Sequence, residues 1–246
     1  MFSEEWHNIL DEVNEHSKNG SWYRGHSSEK FKLLSGLYRK GLKSPSDYTS
    51  TEKTYYNLFI RDGFLLHGEK DWNLLFIMQH HGVQTRLLDW SESFATALFF
   101  AYSNWDFKEN CVVWILNPLQ LNKKTLGEAK YYLFDEKYEE LINDDGPSFN
   151  YNTLALYPVR NSTRIVSQLG MFTLQGKEGK PLEEEESLVK EGILKKIVLQ
   201  PDLKEDIENF LKITGVNDYT VFSDLDGLAK QINKMNYSAR SAVTVG

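Results

Sequence analysis

Three short segments of the chain place charged side chains among apolar neighbours, where polar groups can do chemistry. The first is Tyr23-Arg24-Gly25-His26. An arginine between aromatic residues at a strand end can offer its planar guanidinium to a phosphate or a ribose oxygen. Gly25 would let the backbone come close to a ligand. The same pattern also fits an arginine whose aliphatic stem lies over aromatic rings.

The second segment, Gln79–Trp90, contains Arg86 and Asp89 on either side of two leucines. In an extended strand Arg86 and Leu88 share one face and Asp89 lies on the other, so a direct Arg86–Asp89 pair needs a turn. The segment fits a binding site, and it fits a buried structural ion pair equally well.

The third segment, residues 164–173, places Arg164 and Gln168 in an otherwise apolar stretch that predicts a turn followed by a strand. Gln168 can face a ligand, or it can satisfy backbone groups within a sheet.

The composition excludes several classes of protein. The 246 residues carry a net charge of −7, which excludes a uniformly basic surface but leaves room for a local basic cleft. A single cysteine, Cys111, excludes internal disulfides and cysteine-based zinc sites. The adjacent His80 and His81 would point about 100° apart on a helix, which is poor geometry for one ion. We therefore expect no metal.

The longest apolar run, Phe94–Tyr102, is far shorter than the roughly 20 residues of a membrane-spanning helix. The first residues also lack a basic and then apolar signal pattern. We expect a cytoplasmic protein that does not associate with membranes.

Periodicity predicts an α+β fold in a single domain, residues 1–246. This domain consists of an N-terminal helix (1–19), a core (20–232) and a tail (233–246). Helices are expected mainly in the N-terminal half and strands mainly in the second half. The predicted helices cover residues 3–16, 51–67, 71–81, about 91–102, 135–143, 203–214 and 225–235. The predicted strands cover 21–26, 85–90, 111–116, 152–157, 193–199 and 219–222, and residues 164–173 predict a turn followed by a strand.

The three polar segments together resemble the FRG domain family, named for a Phe-Arg-Gly motif that reads Tyr23-Arg24-Gly25 here. Residues 79–90 are similar to the family's Gln-His-x-Gly-x-Pro-Thr-Arg-Leu-Leu-Asp-Trp-Thr block, and residues 97–101 to the Ala-Leu-Phe-Phe-Ala helix that follows it. The chain departs from the block at Gln84, where the family has proline, and at Ser91, where it has threonine.

Further matches extend the resemblance over roughly residues 20–232. Glu52 corresponds to an acidic residue of the intervening helix. Arg164 and Gln168 lie in a later motif, and residues 224–229 resemble the last one.

The resemblance implies an ADP-ribosyltransferase-like fold with a split sheet, and transfer of ADP-ribose from NAD without a metal. In this interpretation Arg24 orients NAD, Arg86 binds its diphosphate and Trp90 stacks near nicotinamide. Gln168 would position the ribose or the acceptor. An amide is not a general base, so that role would fall to Glu52, to Asp89 or to the acceptor itself.

The remaining residues expected around NAD are Tyr23, Gly25, His26, Thr85 and Asp89. The acceptor would be a nucleic acid (RNA or DNA) or a protein, and the family setting suggests a toxin or anti-phage effector with a neutralising antitoxin. Six basic residues near the first motif could form a nucleic-acid patch or a solvated loop: Arg24, Lys30, Lys32, Arg39, Lys40 and Lys43.

Two other functions remain open at this point. The chain could be a non-catalytic module that binds a ligand or partner in the same cleft. It could also be a nucleic-acid hydrolase that uses His80, Arg86 and Asp89, although it lacks the carboxylate cluster of the usual two-metal enzymes.

Overall fold

A computed structural model describes residues 1–17, 20–132, 134, 137–143, 152–160 and 162–234. Within these ranges six strands form one sheet. The strands are β1 (Trp22–His26), β2 (Leu87–Ser91), β3 (Cys111–Leu116), β4 (Leu154–Leu156), β5 (Gly170–Leu174) and β6 (Leu194–Leu199).

Helices accompany the strands along the whole described chain. They are α1 (Glu4–His16), α2 (Pro45–His67), α3 (Asp71–His80), α4 (Phe94–Ser103), α5 (Pro118–Leu126), α6 (Tyr138–Asn143), α7 (Thr163–Ser167), α8 (Glu186–Lys190), α9 (Lys204–Thr214), α10 (Asp218–Phe222) and α11 (Leu225–Lys234).

The mixture of helices and a sheet confirms the α+β class. The expected concentration of strands in the second half is wrong, because three strands precede residue 117 and three follow it. Helices occur in both halves, and the two longest, α1 and α2, lie in the first. No described helix combines the length and the apolar character needed to cross a bilayer. Most of the predicted tail, residues 235–246, lies outside the described residues.

Local capping explains two of the differences from the predicted elements. Helix α2 begins six residues earlier than expected because Ser44 and Asp47 form a reciprocal capping box and Pro45 occupies the first turn. Residues 219–222, predicted as a strand, form helix α10 because the Asn217 side chain accepts hydrogen bonds from two backbone N–H groups.

The sheet is antiparallel throughout, in the order β4-β5-β2-β1-β3-β6. Its central pairing is nearly interrupted. Strands β1 and β2 pair only at Tyr23 and Ser91, whereas β1 pairs with β3 at five positions and β2 with β5 at five. The sheet therefore consists of two three-stranded halves that meet at one residue pair and separate beyond it.

Helix α4 closes one face of this junction. Its buried side chains pack with those of β1, β3 and β6 in one apolar cluster, which also includes Trp6 of α1. A Cβ atom at Gly25 would lie 1.8 Å from the carbonyl oxygen of Ala97. Glycine is thus required here so that α4 can contact the strand directly. The sequence predicted that a ligand would come close to the backbone at Gly25. In the structure helix α4 occupies that position.

The segment between β1 and α2 has little regular structure, but it is anchored at the end of the sheet. The buried Gln175 side chain accepts a hydrogen bond from the N–H of Ser35 and donates one to the carbonyl of Leu33, at 3.0 Å. The N–H of Leu37 donates to the carbonyl of Thr85 at 2.9 Å. Because these groups are buried and paired, the segment holds a fixed position over the sheet.

We predict that Gly25→Ala strongly destabilises the protein, because the new methyl group overlaps backbone atoms of α4 that cannot move independently. Gly170→Ala is the matched control. It also lies in a strand, and its Cβ would meet no atom closer than 3.5 Å. Urea unfolding should show a loss of about 3 kcal/mol or more for the first variant and less than about 1 kcal/mol for the second. Equal midpoints for the two variants would contradict the packing argument.

Candidate functional site

A cavity of about 870 Å³ opens where β1 and β2 separate. Its wall includes the two strands, the segment that follows β1 and the turn between α7 and β5. Seven of the nine predicted site residues line it: Tyr23, Arg24, Gly25, His26, Asp89, Trp90 and Gln168. The other two, Thr85 and Arg86, are buried and are not among the lining residues.

Arg24 bridges the two halves of the sheet. Its Nη1 donates to the carbonyl oxygen of Asp89 at 2.5 Å and lies 3.7 Å from that residue's carboxylate Oδ2. Its Nε donates to Nε2 of His26 at 3.1 Å. Burial lowers the pKa of Arg24 and the Asp89 carboxylate acts in the opposite direction. The guanidinium still carries its charge at neutral pH, because an arginine is not deprotonated in proteins.

Asp89 is held in turn by a short chain of hydrogen bonds. Gln79 donates to its carboxylate at 3.0 Å, and Thr85 donates to the Gln79 side-chain oxygen at 2.7 Å. The Thr85 hydroxyl also accepts from the N–H of Leu87 at 3.0 Å. Thr85 therefore positions Gln79 and Asp89 and does not face the cavity, which corrects its expected place among the NAD contacts.

His26 is a neutral hydrogen-bond acceptor. Burial and the neighbouring Arg24 charge lower its pKa to about 3. Its Nε2 accepts the Arg24 N–H, which assigns the ring proton to Nδ1. A protonated imidazole could not accept that bond, so His26 fixes the orientation of Arg24 and is not a proton donor at neutral pH.

Trp90 reaches the cavity but offers little ring surface to a ligand. It is 3% exposed, and its indole N–H donates to the Thr173 hydroxyl at 3.0 Å. Phe31, which the sequence interpretation did not select, is 55% exposed and lies on the cavity wall. Its ring centroid is 6.2 Å from that of His26. Its only sequence signal was an aromatic residue between two lysines.

Gln168 was expected in a strand. In the structure it is instead the residue that ends helix α7. Its backbone carbonyl accepts a hydrogen bond from the Ser91 hydroxyl at 2.6 Å, which ties it to the end of β2. Its side-chain Nε2 is buried and has no hydrogen-bond partner among the described residues. A buried amide donor on a cavity wall is suited to an acceptor oxygen of a ligand.

Arg86 forms a buried ion pair with Glu52, and the structure thereby corrects its assignment to a ligand diphosphate. Its Nε lies 2.8 Å from the Glu52 carboxylate, and both side chains are almost completely buried. The Tyr138 hydroxyl donates to the other carboxylate oxygen. Burial opposes the charge of Arg86, but Glu52 and its neighbours more than offset this and raise the arginine pKa. The pair joins α2 to the residue that precedes β2.

The cavity is electropositive although the chain is acidic. Asp89 is the only carboxylate among its described lining residues, which include five lysines and arginines. Lys30 and Lys32 pair with Glu109 and Glu184 outside the wall. Across the described part of the chain, no carboxylate lies within ion-pair distance of the other two cations, Arg39 and Arg164, which leaves them able to bind an anion.

These features coincide with a family match. The model of the FRG domain matches residues 19–110. The chain contains an FRG domain. The matched FRG segment runs from the residues before β1 to the residue before β3, so it includes Arg24, Glu52, Arg86 and Asp89. Gln168 lies outside it.

Comparisons with curated proteins and with solved structures gave no match. Within the described ranges, no group of three or more His, Cys, Asp or Glu side chains is arranged to hold a metal ion.

The buried pair in the FRG segment gives a stability prediction. Glu52→Gln keeps the shape of the side chain but leaves the Arg86 charge uncompensated, and we expect a loss of about 3 kcal/mol in the free energy of unfolding. The control is Glu186→Gln, which removes an exposed pair with Lys190 and should cost less than about 0.5 kcal/mol. Urea unfolding of both variants checks this, and equal losses would exclude a structural role for the Glu52–Arg86 pair.

The low pKa of His26 gives a second prediction. The folded protein should keep this imidazole neutral down to about pH 4, whereas the unfolded chain takes up the proton near pH 6.5. The stability contributed by the neutral form is complete above about pH 6.5 and is lost as the pH falls toward 3, by about 1.4 kcal/mol per pH unit.

Imidazole NMR signals between pH 8 and pH 4.5 test this directly, with the signal assigned by its loss in His26→Gln. A His26 signal that titrates near pH 6.5 would show that the Arg24–His26 hydrogen bond is not as described.

Proposed function

We propose that this FRG protein binds NAD in the cavity and transfers ADP-ribose to an acceptor, either a nucleic acid or a protein. The observation that supports this most is the cavity at the split in the sheet, where Arg24 and the unpartnered Gln168 amide share a basic wall. A diphosphate ester with polar ribose groups complements such a wall.

The shape of the sheet agrees with the fold that the resemblance implied. A split-sheet, ADP-ribosyltransferase-like core needs two halves that diverge, and here the halves share one residue pair, Tyr23 and Ser91. The cavity volume of about 870 Å³ is also within the usual range for ligand pockets, about 300–1,000 Å³.

The geometry redistributes the roles expected for the NAD contacts. Arg24 keeps the role of orienting NAD, because Asp89 and His26 fix its guanidinium beside the cavity. The diphosphate role passes from Arg86 to Arg39 and Arg164, which line the cavity without a carboxylate partner among the described residues. Stacking passes from the buried Trp90 to the exposed ring of Phe31.

NAD supplies ADP-ribose in this reaction: its bond to nicotinamide breaks with the electron pair going to the nicotinamide nitrogen, and the acceptor nucleophile bonds to the same carbon and releases its proton. The protein supplies fixed donors that hold the leaving group and the ribose in line. Glu52 is not available as a base, because it is buried against Arg86. Asp89 remains the lining carboxylate that can receive the proton.

One observation favours a second function, a module that binds NAD or a related nucleotide without turning it over. The carboxylate of Asp89 already accepts a hydrogen bond from Gln79 and lies beside Arg24. A carboxylate that is already engaged by Gln79 and Arg24 is less free to approach an acceptor nucleophile, which is compatible with binding alone.

Release of nicotinamide from NAD by the purified protein tests the proposal. The reaction is measured with and without RNA, DNA and cell lysate. We expect Arg24→Ala to lower the rate of release by about 100-fold or more, because the bound geometry is lost. Arg160→Ala, an exposed arginine that pairs with Glu92 and is not part of the cavity lining, is the matched control and should keep full activity.

The outcomes separate the two candidate functions. Arg24-dependent release supports the transferase, and labelled NAD then identifies the acceptor. Binding of NAD by calorimetry without release under any condition favours the binding module. The absence of both binding and release would refute the assignment of this cavity to NAD.

A further inference from the structure

Helix α2 carries an apolar surface that nothing in the described structure covers. Leu65 and Leu66 are 100% and 91% exposed, and Leu58 and Phe64 are 41% and 42% exposed. Single exposed leucines are common, but several exposed apolar side chains on one helix point to an interaction surface.

The exposed residues of this patch follow the helical repeat. Leu58 and Leu65 are seven residues apart, and Arg61 and Asp62 lie midway between them, so all four share one face. Arg61 and Asp62 pair with each other through two contacts of 2.7 Å, both exposed to solvent. The patch therefore has an apolar residue at each end and one charge of each sign at its centre.

A groove runs beside the same face. It has a volume of about 600 Å³, and Leu58 and Asp62 belong to its wall. The other lining residues are Tyr55, Phe59 and Gly63 of α2 together with Gly82, Val83 and Gln84 of the turn before β2. The same helix thus carries fully exposed leucine side chains and contributes to a groove that could receive a leucine side chain.

We propose that α2 is a homodimerisation surface, on which it pairs antiparallel with α2 of a second copy about a two-fold axis between Arg61 and Asp62. Such an axis relates residue 58 to residue 65 of the other copy, and residue 61 to residue 62. Each Leu65 then meets Leu58 and the groove of its partner, and each Arg61 meets Asp62.

Self-pairing accounts for the patch better than a different partner does. A two-fold interface uses the same patch on both subunits, so the patch must be complementary to itself. Here the two-fold axis brings the protruding Leu65 of one copy to the groove beside Leu58 of the other. It also brings the positive Arg61 of one copy to the negative Asp62 of the other. A different protein partner would require on this helix only the protrusion or the groove, and only the positive or the negative charge.

The first test is the mass of the intact protein in solution by light scattering coupled to gel filtration. We expect a species of twice 28.6 kDa that dissociates on dilution. Leu65→Glu should give a monomer with an unchanged melting temperature measured at low concentration, because the side chain is fully exposed. The matched control is Ile213→Glu at an exposed position of α9, which should remain dimeric.

The second test uses the central charges. Arg61→Asp places two acids opposite two acids, and Asp62→Arg places two bases opposite two bases, so each variant alone should be monomeric. A mixture of the two should form a heterodimer, and the double variant, in which the charges are exchanged, should form a homodimer. Both residues are exposed, so these changes have little effect on folding.

Three results would overturn the proposal. They are a wild-type protein that is monomeric at all concentrations, a Leu65→Glu variant that still dimerises, and charge variants that do not combine when mixed. A monomeric wild type that loses thermal stability on Leu65→Glu would show instead that the chain covers the patch itself. The tests do not involve NAD, so their outcome is independent of the proposed function.

Discussion

The contact of Arg24 with Asp89 spans the one place where the sheet is nearly interrupted. Strands β1 and β2 share a single residue pair, so the guanidinium supplies a polar link beyond it that a continuous ladder would otherwise provide. The cavity exists because the strands diverge there. The same charge therefore holds the two halves together and faces the space between them, and His26 and Gln79 keep both ends of this link in place.

A second constraint is the pair of Glu52 and Arg86, which are buried together and do not line the cavity. Two buried charges are tolerated only as a pair with further hydrogen bonds, which Tyr138 supplies. The pair ties α2 to the residue that precedes β2. Two close attachments thus fix this part of the fold: helix α4 packs directly against Gly25, and the buried charges of Glu52 and Arg86 pair with each other.

The position of α2 connects the site to the outer surface. Its buried side faces the sheet through Glu52 and Tyr56, and its opposite side exposes Leu58 and Leu65. A helix anchored by an ion pair on one face can present a rigid apolar face on the other. In a dimer, the segment between β1 and α2 that carries Phe31 would be held on the same rigid support as the interface.

The sequence by itself determined the apolar periodicities, the α+β class and the FRG motif, because these depend on local spacing and residue type. It also predicted Arg24, Asp89 and Gln168 as site residues, and these three line the cavity. Tertiary structure decided the partner of Arg86, since Glu52 lies 34 residues away and only the packing of α2 brings the two together. It likewise decided that α4 fills the space at Gly25. Local sequence pattern does not distinguish between the possible partners of a residue such as Arg86. The packing of elements that are distant in sequence decides which partner is buried with it.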